Sequence, residues 1–138
     1  MIAYIDSSVI LRVVLGQPDR LREWKTLRSG VSSALVEVEC LRTLDRLKIR
    51  NEITDPEIAV RREAVYRLVE EIEIVEPTRP VLARASQPPP TPLGTLDAIH
   101  LATALLWQEK ERKQLVMATH DTALAIAAQA CGLRVAGI

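Results

Sequence analysis

The chain has 138 residues, the size of one domain, and at that length it can bury enough surface to fold without disulfides or a structural metal. Apolar residues make up 48% of it while aromatics are 3% and phenylalanine is absent, so the core must be aliphatic, which suits a parallel sheet wrapped by helices. Eighteen basic and eighteen acidic residues cancel to a formal charge of zero; this excludes a global basic field and leaves only local contacts for any nucleic acid.

Ile2 to Ile5 is a short apolar run that Asp6 stops, too brief for a signal core or a membrane span, and reads as a buried strand leading into a helix. A soluble protein that is not exported is expected. Residues 9 to 15 suit a short helix ended by Gly16 and Pro18, and Asp19 to Arg28 a second, more polar one. Val31 to Ser33 is a brief strand. From Ala34 to about Lys48 the apolar positions Leu35, Val38, Leu41, Leu44 and Leu47 recur every three residues, and Thr54-Asp55-Pro56-Glu57 starts a further helix to about Glu71, so the two form a hairpin. Glu73 to Glu76 reads as a strand and Pro80 to Ser86 as a short helix, and Pro88 to Pro92 is a stiff surface loop. Leu96 to Gln108 is apolar on nearly every face and must be a buried central helix, whose few polar residues therefore need explaining. Leu115 to Ala118 is a buried strand, Ala123 to Ala130 a helix closed by Gly132, and Leu133 to Ala136 a last strand. Cys40 and Cys131 stand far apart in apolar helical patterns, which points to reduced thiols and a reducing cytoplasm.

Asp6 follows the first strand, Asp121 a later strand, and Asp97 opens the buried helix. In an open parallel sheet such positions converge on the crevice outside the carboxyl ends of the strands. Asp6 and Asp121 also read as ordinary helix N-caps. Asp97 resists that reading, because Thr95 is available as the cap. Glu39 has Arg42 and Arg46 on its face, which makes a surface ion pair the default, and Glu37 competes for the same role from a direction about 200° away. Four carboxylates in one cleft repel unless a cation sits among them, and hard oxygen donors suit Mg2+ or Mn2+. Such ions activate water for phosphodiester hydrolysis.

The segments Tyr4-Ile5-Asp6-Ser7-Ser8-Val9-Ile10-Leu11, Ser33-Ala34-Leu35-Val36-Glu37-Val38-Glu39-Cys40-Leu41-Arg42, Leu96-Asp97-Ala98-Ile99-His100-Leu101-Ala102-Thr103-Ala104 and Ala118-Thr119-His120-Asp121 resemble, in order and spacing, the PIN-domain ribonucleases, in particular the VapC-type toxins of toxin-antitoxin pairs. The resemblance covers essentially the whole chain. It implies a single PIN domain over 1–138, with a three-layer α/β/α fold around a parallel sheet of four to five strands. It selects Glu39, three residues before Arg42, over Glu37, and makes Asp6, Glu39, Asp97 and Asp121 both the catalytic and the metal-holding acids, with Ser7 and Thr119 as auxiliaries. It further implies a Mg2+- or Mn2+-dependent endoribonuclease acting on structured RNA, a homodimer, and inhibition by a cognate antitoxin protein laid into the acidic groove.

Other readings fit less well. A phosphoacceptor receiver wants paired acids after the first strand, a haloacid-dehalogenase-type phosphatase wants an acid where Ser8 stands, and a dinucleotide enzyme wants a Gly-rich turn there. The rival is a PIN-like scaffold that binds RNA or protein without cutting. His100 and His120 are expected to make structural hydrogen bonds rather than to serve as general bases, because a metal already supplies the nucleophile. Pro88 to Pro92 could stiffen the groove's rim.

Overall fold

Strand β1, Ile2–Ile5, is the middle strand of the sheet, and its alternation decides which side chains meet which layer. Ala3 and Ile5 point into one aliphatic core and Tyr4 into the other. The computed structural model describes residues 1–138, and the remaining elements follow in chain order: α1 (Ser7–Val14), β2 (Ser29–Ser33), α2 (Leu35–Ile49), α3 (Asp55–Glu70), β3 (Glu73–Val75), α4 (Arg79–Ala85), α5 (Thr95–Glu111), β4 (Val116–Ala118), α6 (Thr122–Ala130) and β5 (Arg134–Ala136).

The five strands lie in the order β3-β2-β1-β4-β5 and every pairing is parallel, so the expected α/β/α layering and strand number both hold. One core gathers Val9, Ile10, Val36, Cys40, Leu44 and Val65 from α1, α2 and α3. The other joins Leu101, Ala104 and Trp107 of α5 to Leu124, Ala127 and Ala128 of α6. The chain winds outward from β1 to β3 and then returns to add β4 on the other side of β1. That reversal between β1 and β4 is the topological switch point, where the loops leaving the two strands diverge and open a crevice.

Local signals explain most boundaries. Thr54 caps α3 by accepting the Glu57 N–H at 3.3 Å, and its hydroxyl donates to the Glu57 carboxylate at 2.9 Å. Residues 86–94, which hold the proline run, form neither helix nor strand. Gly137 is required at its position: its φ is +105°, and a Cβ there would stand 2.4 Å from the Thr119 carbonyl oxygen.

Three expectations need correction. Asp19 to Arg28 holds no α-helix, only a 3₁₀ turn at Arg22–Thr26. The apolar residues that pack there, Leu21, Trp24 and Leu27, are three apart, and a three-residue turn aligns them where an α-turn would not. In α2 the buried residues are Val36, Cys40 and Leu44, four apart, whereas Val38 is 50% exposed. A stripe every three residues drifts off one face of a 3.6-residue helix. Finally, Thr95 does not cap α5; the capping position is Gly94, with no side-chain bond to the first turn.

Candidate active site

Asp6 leaves β1 at its carboxyl end and caps α1. It is only 3% exposed, a depth that an ordinary cap does not need. Its Oδ2 accepts the Ser8 hydroxyl at 2.6 Å, the Thr119 hydroxyl at 2.9 Å and the Ser8 N–H at 3.4 Å. All three bonds fall on one oxygen, so Oδ1 keeps its lone pairs for another partner. Ser8 and Thr119 are held in turn, because their hydroxyl oxygens accept the N–H groups of His120 and Asp121, each at 2.9 Å. The loops after β1 and β4 are thereby tied together across the switch point.

Glu39 comes from α2 and its carboxylate turns inward. Its Oε2 accepts the Ser7 hydroxyl at 3.3 Å, and its Oε1 meets Nε2 of His100 in a short hydrogen bond. The surface ion pair expected of it does not form: Arg42 faces Asp45 at 3.9 Å, and Arg46 donates to the Thr43 hydroxyl. Glu37 lies with Val38, Arg42 and Arg62 along the groove between α2 and α3, away from Asp6.

Asp97 sits in the first turn of α5, its carboxylate bonded to no other side chain. Its carboxyl is pushed up to about 6, by burial first and then by the charges of Asp121, Asp6 and Glu39, against which His100 acts. The four acids therefore share one field. Asp121 caps α6 through Oδ1, which accepts the Leu124 N–H at 2.9 Å, and this leaves Oδ2 free. The bland and the functional readings of Asp121 are thus satisfied by different oxygens. The N-termini of α1 and α6 also open on the crevice, and their positive dipole ends offset part of the repulsion.

One ligand atom each from Asp6, Glu39 and His100 lie within 4.8 Å of one another, and the charges of Asp121, Asp6 and Glu39 all act on Asp97. An oxygen-rich cluster at this spacing, with lone pairs still free on Asp6, Asp97 and Asp121, fits a hard divalent cation such as Mg2+.

Of the auxiliaries, Ser7 touches Glu39 and Thr119 touches Asp6. Ser8, which sequence reasoning passed over, does as much for Asp6 as Thr119 does. His120 bonds the Gly137 carbonyl at 2.7 Å, a structural role as expected. His100 is fully buried and also bonds Tyr4, whose hydroxyl lies 2.6 Å from Nδ1. Burial alone would lower the imidazole, but the bond to Glu39 and the charges of Glu39, Asp6 and Asp97 outweigh it and hold His100 above its ordinary value. Cys40, beneath Glu39, is pushed up to about 12 by burial and then by the charges of Glu39 and Asp6, so it stays a thiol and is no nucleophile.

The family model for the PIN domain matches residues 3–129. Ribonuclease VapC46 of Mycobacterium tuberculosis is 36% identical over 104 residues, spanning 73% of this chain and 72% of that protein. Ribonuclease VapC47 of the same species is 28% identical over 120 residues, 86% of this chain and 83% of the other. In fold, the chain resembles FitAcB from Neisseria gonorrhoeae (TM-score 0.68, 19% identity, 98% of this chain and 96% of that one) and PAE2754 from Pyrobaculum aerophilum (TM-score 0.57, 15% identity, 98% and 92%). A PIN model that matches nearly the whole chain, with VapC ribonucleases among its relatives, makes this protein a member of the PIN-domain family.

Proposed function

We propose that the chain, as a single PIN domain over its 138 residues, is the toxin of a type II toxin-antitoxin pair and a Mg2+- or Mn2+-dependent endoribonuclease. The observation that carries this reading is the burial of Asp6 with one oxygen fully bonded and the other free, beside Glu39 and Asp97 at the switch point of a PIN fold. Relatives named ribonuclease support the reaction class.

Asp6, Glu39 and Asp97 would hold the cation, with Asp121 at the rim. A cation bound there supplies Lewis acidity, which generates a nucleophile from water and neutralises charge on the phosphodiester. The protein contributes rigidity: Ser8 and Thr119 fix the Asp6 carboxylate, Ser7 touches Glu39, and the dipoles of α1 and α6 favour an anionic phosphate at the mouth of the crevice. A metal-free groove this acidic also suits a cognate antitoxin that brings an arginine or lysine into it. A homodimer and a cytoplasmic location complete the proposal; no helix is long and apolar enough to cross a membrane.

Incubating the purified chain with transfer or ribosomal RNA, with Mn2+ or with chelator, tests the proposal. Cleavage that needs the cation and is lost in Asp97→Asn supports it. Specific RNA binding without cleavage would favour the silent PIN-like module instead.

A further inference from the structure

We infer that Tyr4 and His100 are positioning residues that fix the orientation of the Glu39 carboxylate before a cation arrives, through a buried relay from the Ser33 N–H to Tyr4, His100 and Glu39. The inference rests on the nuclease reading of the acidic cluster.

The Tyr4 oxygen accepts the Ser33 N–H at 3.1 Å. The Ser32 and Thr103 hydroxyls are anchored to backbone, Ser32 Oγ donating to the Ile5 carbonyl and Thr103 Oγ1 to the Ile99 carbonyl, each at 2.7 Å. The Tyr4 hydroxyl lies 2.6 Å from His100 Nδ1. In the Nε2–H tautomer and in the imidazolium alike, Nε2–H donates to Glu39 Oε1. So committed, His100 is no cation ligand, although its ring nitrogen lies among the ligand atoms.

The relay draws on the elements that deliver three of the four acids. Tyr4 lies two residues before Asp6 on β1, Ser33 ends β2 just before α2, and His100 stands one turn after Asp97 on α5. Tyr4 and His100 are each 0% exposed, so their bonds do not compete with water. A free glutamate side chain would lose rotamer freedom on binding a cation; one held in advance has already lost it. Partners of this kind behind a ligand typically alter metal affinity roughly 10- to 100-fold.

The test measures Mn2+ affinity by calorimetry on folded protein for the wild type, His100→Leu, His100→Gln and Tyr4→Phe. His100→Leu should bind Mn2+ roughly 10- to 100-fold more weakly. His100→Gln, which keeps a donor near Nε2, should recover most of that loss. Tyr4→Phe is the milder change, since it preserves the ring and removes only the hydroxyl bonded to His100 Nδ1, and it should fall between them. Nitrogen NMR with Mg2+ should report Nε2 of His100 as protonated; a neutral ring with its only proton on Nδ1 would overturn the donation to Glu39. Mn2+ affinity unchanged in both His100→Leu and Tyr4→Phe overturns the positioning role. So does imidazole nitrogen coupling in the Mn2+ resonance spectrum, which would make His100 a ligand. A wild type that binds no Mn2+ overturns the nuclease reading and this role with it.

Discussion

The Thr119 hydroxyl donates to Asp6 Oδ2, 113 positions away in sequence, at 2.9 Å and accepts the Asp121 N–H at the same distance, so one small side chain couples the first acid to the last. Thr119→Val keeps the shape and loses both bonds, leaving a buried carboxylate oxygen and a backbone N–H short of partners. A loss of about 1–3 kcal/mol is expected. Thr119→Ser should keep most of the stability. Chemical denaturation of the metal-free proteins measures the difference.

Glu39 and Glu37 differ by two positions and face different surroundings, the first His100 and Ser7, the second the groove beside Arg42 and Arg62. Glu39→Gln should remove RNA cleavage and weaken Mn2+ binding, and Glu37→Gln should leave both near wild-type levels. Parallel cleavage and binding assays decide it. The reverse pattern would refute the placement of the site.

Legibility of this fold and site varied with the source of the signal. Strand ends and caps could be read because they are local: Asp6 and Asp121 stand where short apolar runs stop, and Thr54 through Glu57 announce their own helix. The face of α2 was not, because leucines every three residues mimic a stripe that the actual burial of Val36, Cys40 and Leu44 contradicts. The 3₁₀ turn at Arg22–Thr26 was hidden for a related reason, since its polar sequence carries too little apolar surface to hold an α-helix in place. Choosing Glu39 over Glu37 took a family resemblance. His100 drew notice as a polar residue in an apolar helix, but its partners Tyr4 and Glu39 lie 96 and 61 positions away, and pairings at that range leave no local pattern.

Acidity should stabilise the metal-free protein. Asp97 is raised from 3.8 to about 6, so the folded state holds a proton that the unfolded chain releases, and this stability is lost as pH climbs through about 6. His100 is raised above 6.5, and its contribution is likewise lost as pH rises through the folded value. Both slopes run the same way, so with chelator present the melting temperature should fall from mildly acidic to mildly alkaline pH. Asp97→Asn should melt higher than wild type above that range and show a shallower slope. Melting curves across pH check both expectations. Added Mg2+ should reverse the trend, because cation and proton compete for the same oxygens, and a ligand at 100 times its Kd contributes about 2.7 kcal/mol. A wild-type melting point that ignores millimolar Mg2+ and Mn2+ would contradict a metal role for the cluster.

The most direct measurement is anomalous diffraction from crystals soaked in Mn2+, which locates the ion without recourse to activity. The expected result is a peak between the free Oδ1 of Asp6 and the carboxylates of Glu39 and Asp97, with the His100 ring outside the coordination shell and still bonded to Glu39. A peak bound to the His100 nitrogen, or no peak in the crevice at saturating Mn2+, would contradict the account.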